Sequence, residues 1–268
     1  MKTRVIAAAV LVPLLLLIVL VAPKIVAAIV LGLLMVSAAY ELLYRTGLVR
    51  HTRLVLYSCA MAFAMCMWSY FGAVHTYLVI GVCLFMVLLF AEMMADHIKV
   101  HFEMLAMCVV AGLMLPYLLS ALIRILIMKV GRYVILIPFV AGFMNDAGAY
   151  FVGIRFGKHK LAPVVSPNKT LEGVAGGLAG SAVGMLLYAV VLLLLKFKVN
   201  FGFAILYGLL ASAAGTFGDL CFSVIKRQTG IKDYGNLIPG HGGALDRFDS
   251  MMLVAPLMEV LLTLMPLV

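Results

Sequence analysis

Long apolar stretches separated by short polar segments make up most of this chain. A bilayer core about 30 Å thick requires about 20 apolar residues in each helix that crosses it. Nine stretches of about that length lie between the charged residues: 5–22, 25–43, 54–72, 76–93, 104–123, 133–153, 173–195, 201–222 and 250–268. Hydrocarbon offers no partner to the backbone groups of an open sheet edge, so each stretch is predicted to be helical. The predicted fold class is therefore all-α, a polytopic integral membrane protein with about nine transmembrane helices.

The composition excludes a soluble domain. Hydrophobic residues make up 66% of the 268 positions and charged residues 12%, whereas soluble domains have about 45–50% apolar and about 25% charged residues. The first stretch, preceded by Lys2 and Arg4, also resembles a secretory signal peptide. Its apolar run is longer than such signals usually have and no small-residue cleavage site ends it, so we expect it to be retained.

The distribution of charge predicts the orientation in the cytoplasmic membrane. With a cytoplasmic N-terminus and nine spans, most of the 20 Lys and Arg residues fall in cytoplasmic loops, as the positive-inside rule requires. The stretch 124–132 runs against this rule and would be explained by an additional element. The net charge of +9 is scattered over loops without a basic stripe, so we expect contacts with membrane lipids and no nucleic-acid partner.

Polar residues are unevenly distributed along the chain. Residues 1–132 are predicted to form a transmembrane scaffold, because their apolar stretches contain few polar groups. Residues 133–268 hold the Gly-rich stretches and most acidic and amide residues, and are predicted to be the catalytic region. The five cysteines all fall inside predicted spans without CxxC spacing, which is typical of packing residues.

Asn145 and Asp146 lie within the sixth apolar stretch. Inserting a carboxylate into a membrane costs about 2.5–3.5 kcal/mol, so such a residue is a candidate for function. The alternative is a hydrogen bond that locks two helices together. Gly148 and Gly153 follow and would let a ligand or a neighbouring backbone approach closely.

A polar segment that contains Ser166, Lys169 and Thr170 precedes the seventh stretch. Backbone N–H groups at a helix start, together with Lys169, would attract a phosphate. An ordinary loop with a helix cap by Thr170 explains the same residues. The sequence leaves both interpretations open.

The densest polar cluster begins at the end of the eighth stretch. Asp219, Ser223 and Lys226 or Arg227 are spaced so that they share one face of a helix. Asp246 and Asp249 are three residues apart and are predicted to share a face at the start of the last helix. Three carboxylates in one site would bind a hard divalent cation such as Mg²⁺ together with substrate phosphates. The alternative is a set of interfacial ion pairs, Asp219 with Lys226 and Asp246 or Asp249 with Arg247.

His241 lies between glycines, in the run Gly240-His241-Gly242-Gly243. Alone it would be read as an ordinary loop histidine. The adjacent glycines allow backbone amides to wrap around a phosphate, which favours a binding role for this turn. The predicted site therefore lies at the cytoplasmic mouth of the C-terminal helices.

The order of polar residues in this cluster resembles a known signature. The pattern is Ser223-x-Ile225-Lys226-Arg227, four residues, Lys232-Asp233-x-Gly235, two residues, Ile238-Pro239-x-His241-Gly242-Gly243, two residues, Asp246-Arg247-Phe248-Asp249. It resembles phosphatidate cytidylyltransferases, also called CDP-diacylglycerol synthases. The Asp146 region and the segment SPNKTLEG at 166–173 are also similar to that family. Ala244 stands where the family usually has a larger aliphatic residue, a difference expected to affect packing only.

The resemblance implies transfer of a cytidylyl group from CTP to phosphatidic acid, with Mg²⁺ and in some members a monovalent cation such as K⁺. The implied metal ligands are Asp219, Asp246 and Asp249, which together with Lys226 form the catalytic set. The implied substrate-binding residues are Ser166, Lys169, Thr170, Ser223, Arg227, Lys232, His241, Gly242, Gly243 and Arg247. The sequence leaves open a homodimer.

Other function classes make different predictions. A CTP-dependent lipid or polyprenol kinase would release CDP rather than pyrophosphate. A CDP-alcohol phosphotransferase is disfavoured, because its spaced Asp-Gly, Ala-Arg, Gly, Asp, Asp pattern is not found in the sequence. A membrane transporter would use Asp146 and the Gly-rich spans for flux without consuming nucleotide.

Overall fold

The computed structural model describes residues 13–72, 75–237 and 242–268. Within these ranges, seven helices are long and apolar enough to cross a membrane: Lys24–Arg45, Thr52–Phe71, His75–Ala95, Phe102–Ile127, Gly131–Phe156, Leu171–Leu194 and Phe201–Gln228. Each overlaps one predicted stretch. The prediction of an all-α, polytopic membrane protein is thus confirmed.

The two terminal stretches differ from the seven central ones. Residues 13–20 are helical, and the chain leaves the helix at 21–23, where Pro23 precedes the next helix. The remainder of the predicted first span lies outside the described residues. The last helix, Met251–Leu264, has only 14 residues, so the predicted span 250–268 is too long. Its end is explained by Pro266, since the residue before a proline disfavours helical geometry.

The chain divides into two compact units, each built from two segments. Unit 1 comprises Met1–Ile127 and Gln228–Phe248, and unit 2 comprises Met128–Arg227 and Asp249–Val268. The predicted division at 132–133 concerned scaffold and catalytic roles, and it stays a prediction.

In unit 1, the helix Lys24–Tyr40 packs against Thr52–Phe71, which also contacts the helical run Phe102–Ile127. Two wide π-helical turns interrupt these helices, at Glu41–Arg45 and Val110–Met114. The α-helical parts of the run Phe102–Ile127 are Phe102–Val109, Leu115–Leu119 and Ala121–Ile127. The helix His75–Ala95 buries few of its residues, so most of its apolar surface is available to lipid. A short helix, Leu245–Phe248, ends this unit.

Arg124 belongs to the helical run that ends at Ile127, and the next helix begins at Gly131. The stretch 124–132 therefore holds the end of one span, a turn at 128–130 and the start of the next span, and not an additional element. The guanidinium group of Arg124 donates hydrogen bonds to Ser120 Oγ at 2.7 Å and to Ser69 Oγ at 3.3 Å. It also lies 4.6 Å from the centre of the Tyr117 ring. These contacts satisfy a charge that apolar surroundings would otherwise disfavour.

In unit 2, a short helix at Gly131–Val134 leads into the helix Leu136–Phe156, which packs along Leu171–Leu194. Glycines on both helices allow the backbones to touch. The helix Phe201–Gln228 packs against residues 249–254, where a Cβ on Gly218 would lie 2.9 Å from the carbonyl oxygen of Asp249. The C-terminal residues are held by Tyr207, whose hydroxyl donates to the carbonyl oxygen of Met265 at 3.0 Å.

Gly148 lies at the closest approach of the first two helices of unit 2. A Cβ at this position would fall on the carbonyl oxygen of Gly176 and lie 3.2 Å from Gly180 Cα. Because these are backbone atoms, they cannot rotate away.

We expect Gly148→Ala to lower the free energy of unfolding by about 1–3 kcal/mol, measured by denaturant titration in mixed micelles. The matched control is Gly81→Ala, since a Cβ on that helical glycine meets nothing within 4 Å. Equal stability of the two variants would contradict this prediction.

A two-stranded antiparallel hairpin connects these helices. Its strands are Lys160–Ala162 and Ser166–Thr170, with Lys160 opposite Thr170 and Ala162 opposite Ser166. The sequence predicted only a polar segment or loop here, so the hairpin is an addition to the all-α prediction. Its cause is local: extended chain between two helices satisfies its backbone groups by pairing with itself.

Candidate active site

Unit 2 contains a cavity of about 180 Å³ beside the start of the helix Leu171–Leu194. Its walls come from that helix, from Leu136–Phe156, from Phe201–Gln228 and from the second strand of the hairpin. The polar lining includes Asn145, Asp146, Asn168, Lys169, Thr170 and Asp219. The structure thus brings together three polar segments that the sequence analysis considered separately.

An ion pair between Lys169 and Asp219 lies in this cavity. Lys169 Nζ is 2.5 Å from Asp219 Oδ2, and the two side chains are 24% and 36% exposed. Ser223 Oγ donates to Asp219 Oδ1 at 3.3 Å, which confirms that these residues share one helix face. The sequence did not predict Lys169 as the partner of Asp219, because the hairpin that carries Lys169 was not expected.

Asn145 and Asp146 have separate roles in the structure. Asn145 is 7% exposed, and its Oδ1 accepts a hydrogen bond from Ser212 Oγ at 2.5 Å. This bond joins two helices, as the packing interpretation predicted. Asn145 Nδ2 also donates to Asp146 Oδ1 at 3.2 Å, and the Asp146 carboxylate lines the cavity. Asp146 therefore belongs with the candidate site, although it is not among the site residues predicted from the sequence.

Thr170 forms the helix cap that one interpretation of the sequence predicted, and its contact with a phosphate stays a prediction. Its Oγ1 accepts a hydrogen bond from the N–H of Gly173 at 3.1 Å and so caps the helix that follows. The same residue lines the cavity. Ser166, four residues earlier, lies in the hairpin strand opposite Ala162.

Two basic residues follow Asp219 on the same helix. Lys226 Nζ is 3.9 Å from Asp249 Oδ2, and these side chains are only 14% and 13% exposed. Arg227 donates from Nε to the carbonyl oxygen of Val165 at 3.1 Å. Arg227 therefore ties the end of the helix to the hairpin, and its predicted contact with substrate stays a prediction.

The substrate contact that the resemblance implies for Lys226 predicts that Lys226→Ala weakens binding of a phosphorylated substrate. A charge-assisted hydrogen bond to a phosphate contributes about 1.5–3 kcal/mol. Because about 1.4 kcal/mol corresponds to a factor of ten, the loss of this bond should raise KM for CTP roughly 10- to 100-fold. The measurement is initial rate against CTP concentration. Lys198→Ala removes an exposed lysine of the same unit and is the control. An unchanged KM in the Lys226 variant would reduce this lysine to a signal for membrane orientation.

The second carboxylate segment differs from its prediction. Asp246 lies in the short helix Leu245–Phe248, which ends before Asp249, and the chain turns at 249–250 before the last helix begins. Asp246 and Asp249 therefore do not share a face of one helix, and that prediction was wrong. The three-residue spacing indicated a continuous helix, whereas the turn interrupts it.

Within unit 1, the Asp246 carboxylate binds two backbone N–H groups that precede it in the chain. The side chain is 8% exposed, and Oδ2 accepts hydrogen bonds from the backbone N–H groups of Tyr234 at 2.8 Å and Gly243 at 3.0 Å. Gly242 has φ +85°, a conformation that favours glycine, and a Cβ there would lie 2.8 Å from Asp246 Oδ2. A phosphate bound at Gly243 would compete with Asp246 for the same N–H group.

The three remaining predicted site residues are Lys232, Arg247 and His241. Lys232 and Arg247 are exposed side chains of unit 1. His241 lies outside the described residues. The roles assigned to these three residues stay predictions.

Glu41 is a residue that the sequence analysis missed. It is 4% exposed and accepts hydrogen bonds from the backbone N–H groups of Ala244 at 3.0 Å and Leu245 at 2.9 Å. Its signal in the sequence was a lone carboxylate inside the predicted span 25–43, equivalent to the one that drew attention to Asp146.

The donor set of the unit 2 cavity suits a hard cation. Asp146 and Asp219 supply carboxylate oxygens, and Asn168 and Thr170 supply amide and hydroxyl oxygens, which are the ligand types that Mg²⁺ takes. Among residues 13–72, 75–237 and 242–268, no group of three or more His, Cys, Asp or Glu side chains is placed to hold a metal ion. The set Asp219, Asp246 and Asp249 stays a prediction.

Comparison with known proteins gives the family. A model described as the cytidylyltransferase family matches residues 2–265. The chain belongs to the cytidylyltransferase family. This membership confirms the family resemblance that residues 223–249 indicated.

Relatives with known names match over part of the chain. Phosphatidate cytidylyltransferase of Staphylococcus haemolyticus is 46% identical over 132 residues, which cover 49% of this chain and 50% of that protein. The protein of the same name from Staphylococcus saprophyticus is 45% identical over 132 residues, with the same 49% and 50% coverage. That of Staphylococcus epidermidis is 46% identical over 131 residues, 49% of each chain. This chain therefore spans about half the length of the curated relatives it matches.

Proposed function

We propose that this protein is a phosphatidate cytidylyltransferase, which transfers a cytidylyl group from CTP to phosphatidate and yields CDP-diacylglycerol and pyrophosphate. The observation that carries the proposal is the cavity of unit 2 in which Lys169 and Asp219 meet, within a multi-pass membrane protein of the cytidylyltransferase family. Lys169 and the N–H groups at a helix start suit anionic groups, and the carboxylates suit a cation bound with those groups, whereas the apolar spans suit the acyl chains of a lipid. The named relatives are phosphatidate cytidylyltransferases, which supports this choice of lipid substrate.

The reaction must hold two anions close together, and the basic residues of the site serve this purpose. Lys169 lies in the cavity, and Lys226 and Arg227 follow Asp219 by about two helical turns. These residues, with Lys232 and Arg247, are the proposed contacts of the triphosphate and of the phosphatidate headgroup. Ser166 and Thr170 belong to the same proposed cradle. If Lys169 binds a phosphate, it leaves its ion pair with Asp219. Nucleotide binding would then release the Asp219 carboxylate.

The chemical step is a displacement at the α-phosphorus of CTP. An oxygen of the phosphatidate phosphate forms a bond to that phosphorus, and the bond from it to the oxygen bridging the α- and β-phosphates breaks. Pyrophosphate leaves with the electron pair. A phosphate monoester has its second pKa near about 6, so the nucleophile is already ionised at neutral pH and no protein base is needed. The residues contribute by positioning the two anions and by neutralising charge.

Mg²⁺ is the proposed cofactor, held by Asp219, Asp246 and Asp249, and a monovalent cation such as K⁺ is included in the proposal. When bound, Mg²⁺ would neutralise charge on the triphosphate and polarise the phosphorus–oxygen bonds. We further propose that the protein lies in the cytoplasmic membrane with this site on the cytoplasmic side. The excess of Lys and Arg in the loops predicted to be cytoplasmic supports that orientation.

The test is a product assay on purified, detergent-solubilised protein with phosphatidate, CTP and Mg²⁺. We expect pyrophosphate release that requires phosphatidate and is abolished by EDTA. Release of CDP instead would indicate a CTP-dependent lipid kinase, and the absence of both products would favour a transporter. Mass photometry of the same sample would show whether the protein is a homodimer.

A further inference from the structure

Glu41 is a buried carboxylate of unit 1 for which the proposed reaction has no use. It follows the apolar helix Lys24–Tyr40 and is the first residue of the π-helical turn Glu41–Arg45. A buried carboxylate is destabilising unless it accepts strong hydrogen bonds, and π-helical turns within helices frequently occur at functional sites. Both facts indicate that the residue serves something other than packing.

Both oxygens of Glu41 bind the same short piece of backbone. Oε1 accepts from the N–H of Ala244 at 3.0 Å and Oε2 accepts from the N–H of Leu245 at 2.9 Å. Added Cβ atoms at Gly235 or Gly243 would fall on this carboxylate. Two glycines and two amides therefore shape a close-fitting surround for one side chain, and the fit fixes where residues 244 and 245 lie.

The residues placed in this way lead directly into the predicted chemistry. Leu245 begins the short helix that carries Asp246 and Arg247. Asp246 in turn accepts hydrogen bonds from the backbone of Tyr234 and Gly243. The backbone at Gly243, Ala244 and Leu245 is thus bound by two carboxylates, that of Glu41 and that of Asp246.

We propose that Glu41 is a positioning residue for cytidylyl transfer: it holds the backbone at Ala244 and Leu245 and thereby orients Asp246 and Arg247. This inference rests on the proposed function. Glu41 acts through the loop, and it makes no contact with the reacting groups in the proposal.

The decisive variant is Glu41→Gln, which keeps the size of the side chain but replaces one acceptor oxygen with an N–H donor that faces a backbone N–H. We expect kcat per folded protein to fall roughly 10- to 100-fold, as is usual when a residue that orients a catalytic group is changed. In the unliganded protein, hydrogen exchange should become faster in the peptide that covers 242–248. Glu41→Asp keeps both acceptor oxygens, so we expect it to restore part of kcat and of exchange protection.

The matched control is Glu92→Gln. Glu92 is also a carboxylate of unit 1, but its Oε1 accepts from the Tyr57 hydroxyl at 3.0 Å and pairs with Arg53, away from the loop. We expect this variant to keep the kcat and the exchange rate of the wild type.

Several results would overturn the inference. They are a wild-type kcat in Glu41→Gln, unchanged exchange in its 242–248 peptide, and an equal loss of kcat in Glu92→Gln. If Glu41→Gln is not recovered folded, Glu41→Asp decides, because a one-carbon retraction should still speed exchange at 242–248 and lower kcat. A wild-type protein that releases no pyrophosphate would refute the proposed function instead, and the exchange experiment would still report whether Glu41 holds the loop.

Discussion

Asp219→Asn is expected to lower pyrophosphate release at least roughly 100-fold, since a lost charge interaction of several kcal/mol in the transition state corresponds to that factor or more. Asp219 is the residue at which the ion pair with Lys169, the contact with Ser223 and the cavity coincide. Asparagine has nearly the same shape but no charge, so it can neither balance Lys169 nor serve as an anionic ligand. The measurement is the initial rate of pyrophosphate release with saturating CTP and phosphatidate.

A double-mutant cycle separates function from structure at this pair. If the ion pair only stabilises the fold, removing both charges in Lys169→Met with Asp219→Asn should restore stability and activity together. If both residues act on substrate, the double variant should be folded but as inactive as either single variant. Asp96→Asn, which alters an exposed pair with Lys99, is the control for a general effect of charge. Recovery of turnover in the double variant would contradict the proposed role of Asp219.

Asp246→Asn is expected to abolish turnover while leaving membrane insertion intact. Asp246 Oδ2 accepts two backbone hydrogen bonds, from Tyr234 and Gly243, and the neutral carbonyl oxygen of an asparagine would accept them without the negative charge that strengthens them. The substitution also removes a proposed Mg²⁺ ligand. Both consequences act on the same step, so we expect a loss of at least roughly 100-fold, with correct insertion checked by membrane fractionation.

The two consequences can be distinguished by titration with Mg²⁺. Loss of a ligand predicts that a high Mg²⁺ concentration restores part of the rate, whereas loss of loop order predicts no recovery and faster hydrogen exchange at 234–246. Glu103→Gln, an exposed carboxylate of the same unit, serves as the control. Wild-type activity in Asp246→Asn would remove this residue from both roles.

The positions of the helices could be predicted because the thickness of a bilayer relates directly to the length of an apolar run. The helix Thr52–Phe71 was predicted as 54–72, and Leu171–Leu194 as 173–195. The helical spacing of Asp219 and Ser223 likewise predicted their contact. Such predictions concern neighbours on one helix, where a fixed rise and turn per residue leave little freedom.

The sequence by itself determined the membrane class, the position of the long helices, the family signature at 223–249 and the residues able to carry charge into the site. Only the tertiary structure decided which of those charges meet. Lys169 reaches Asp219 because a hairpin forms between two helices, and Glu41 binds the backbone of Ala244, 203 residues further along the chain. Contacts of this kind depend on how separate segments pack, and residue spacing along a single helix carries no information about that packing.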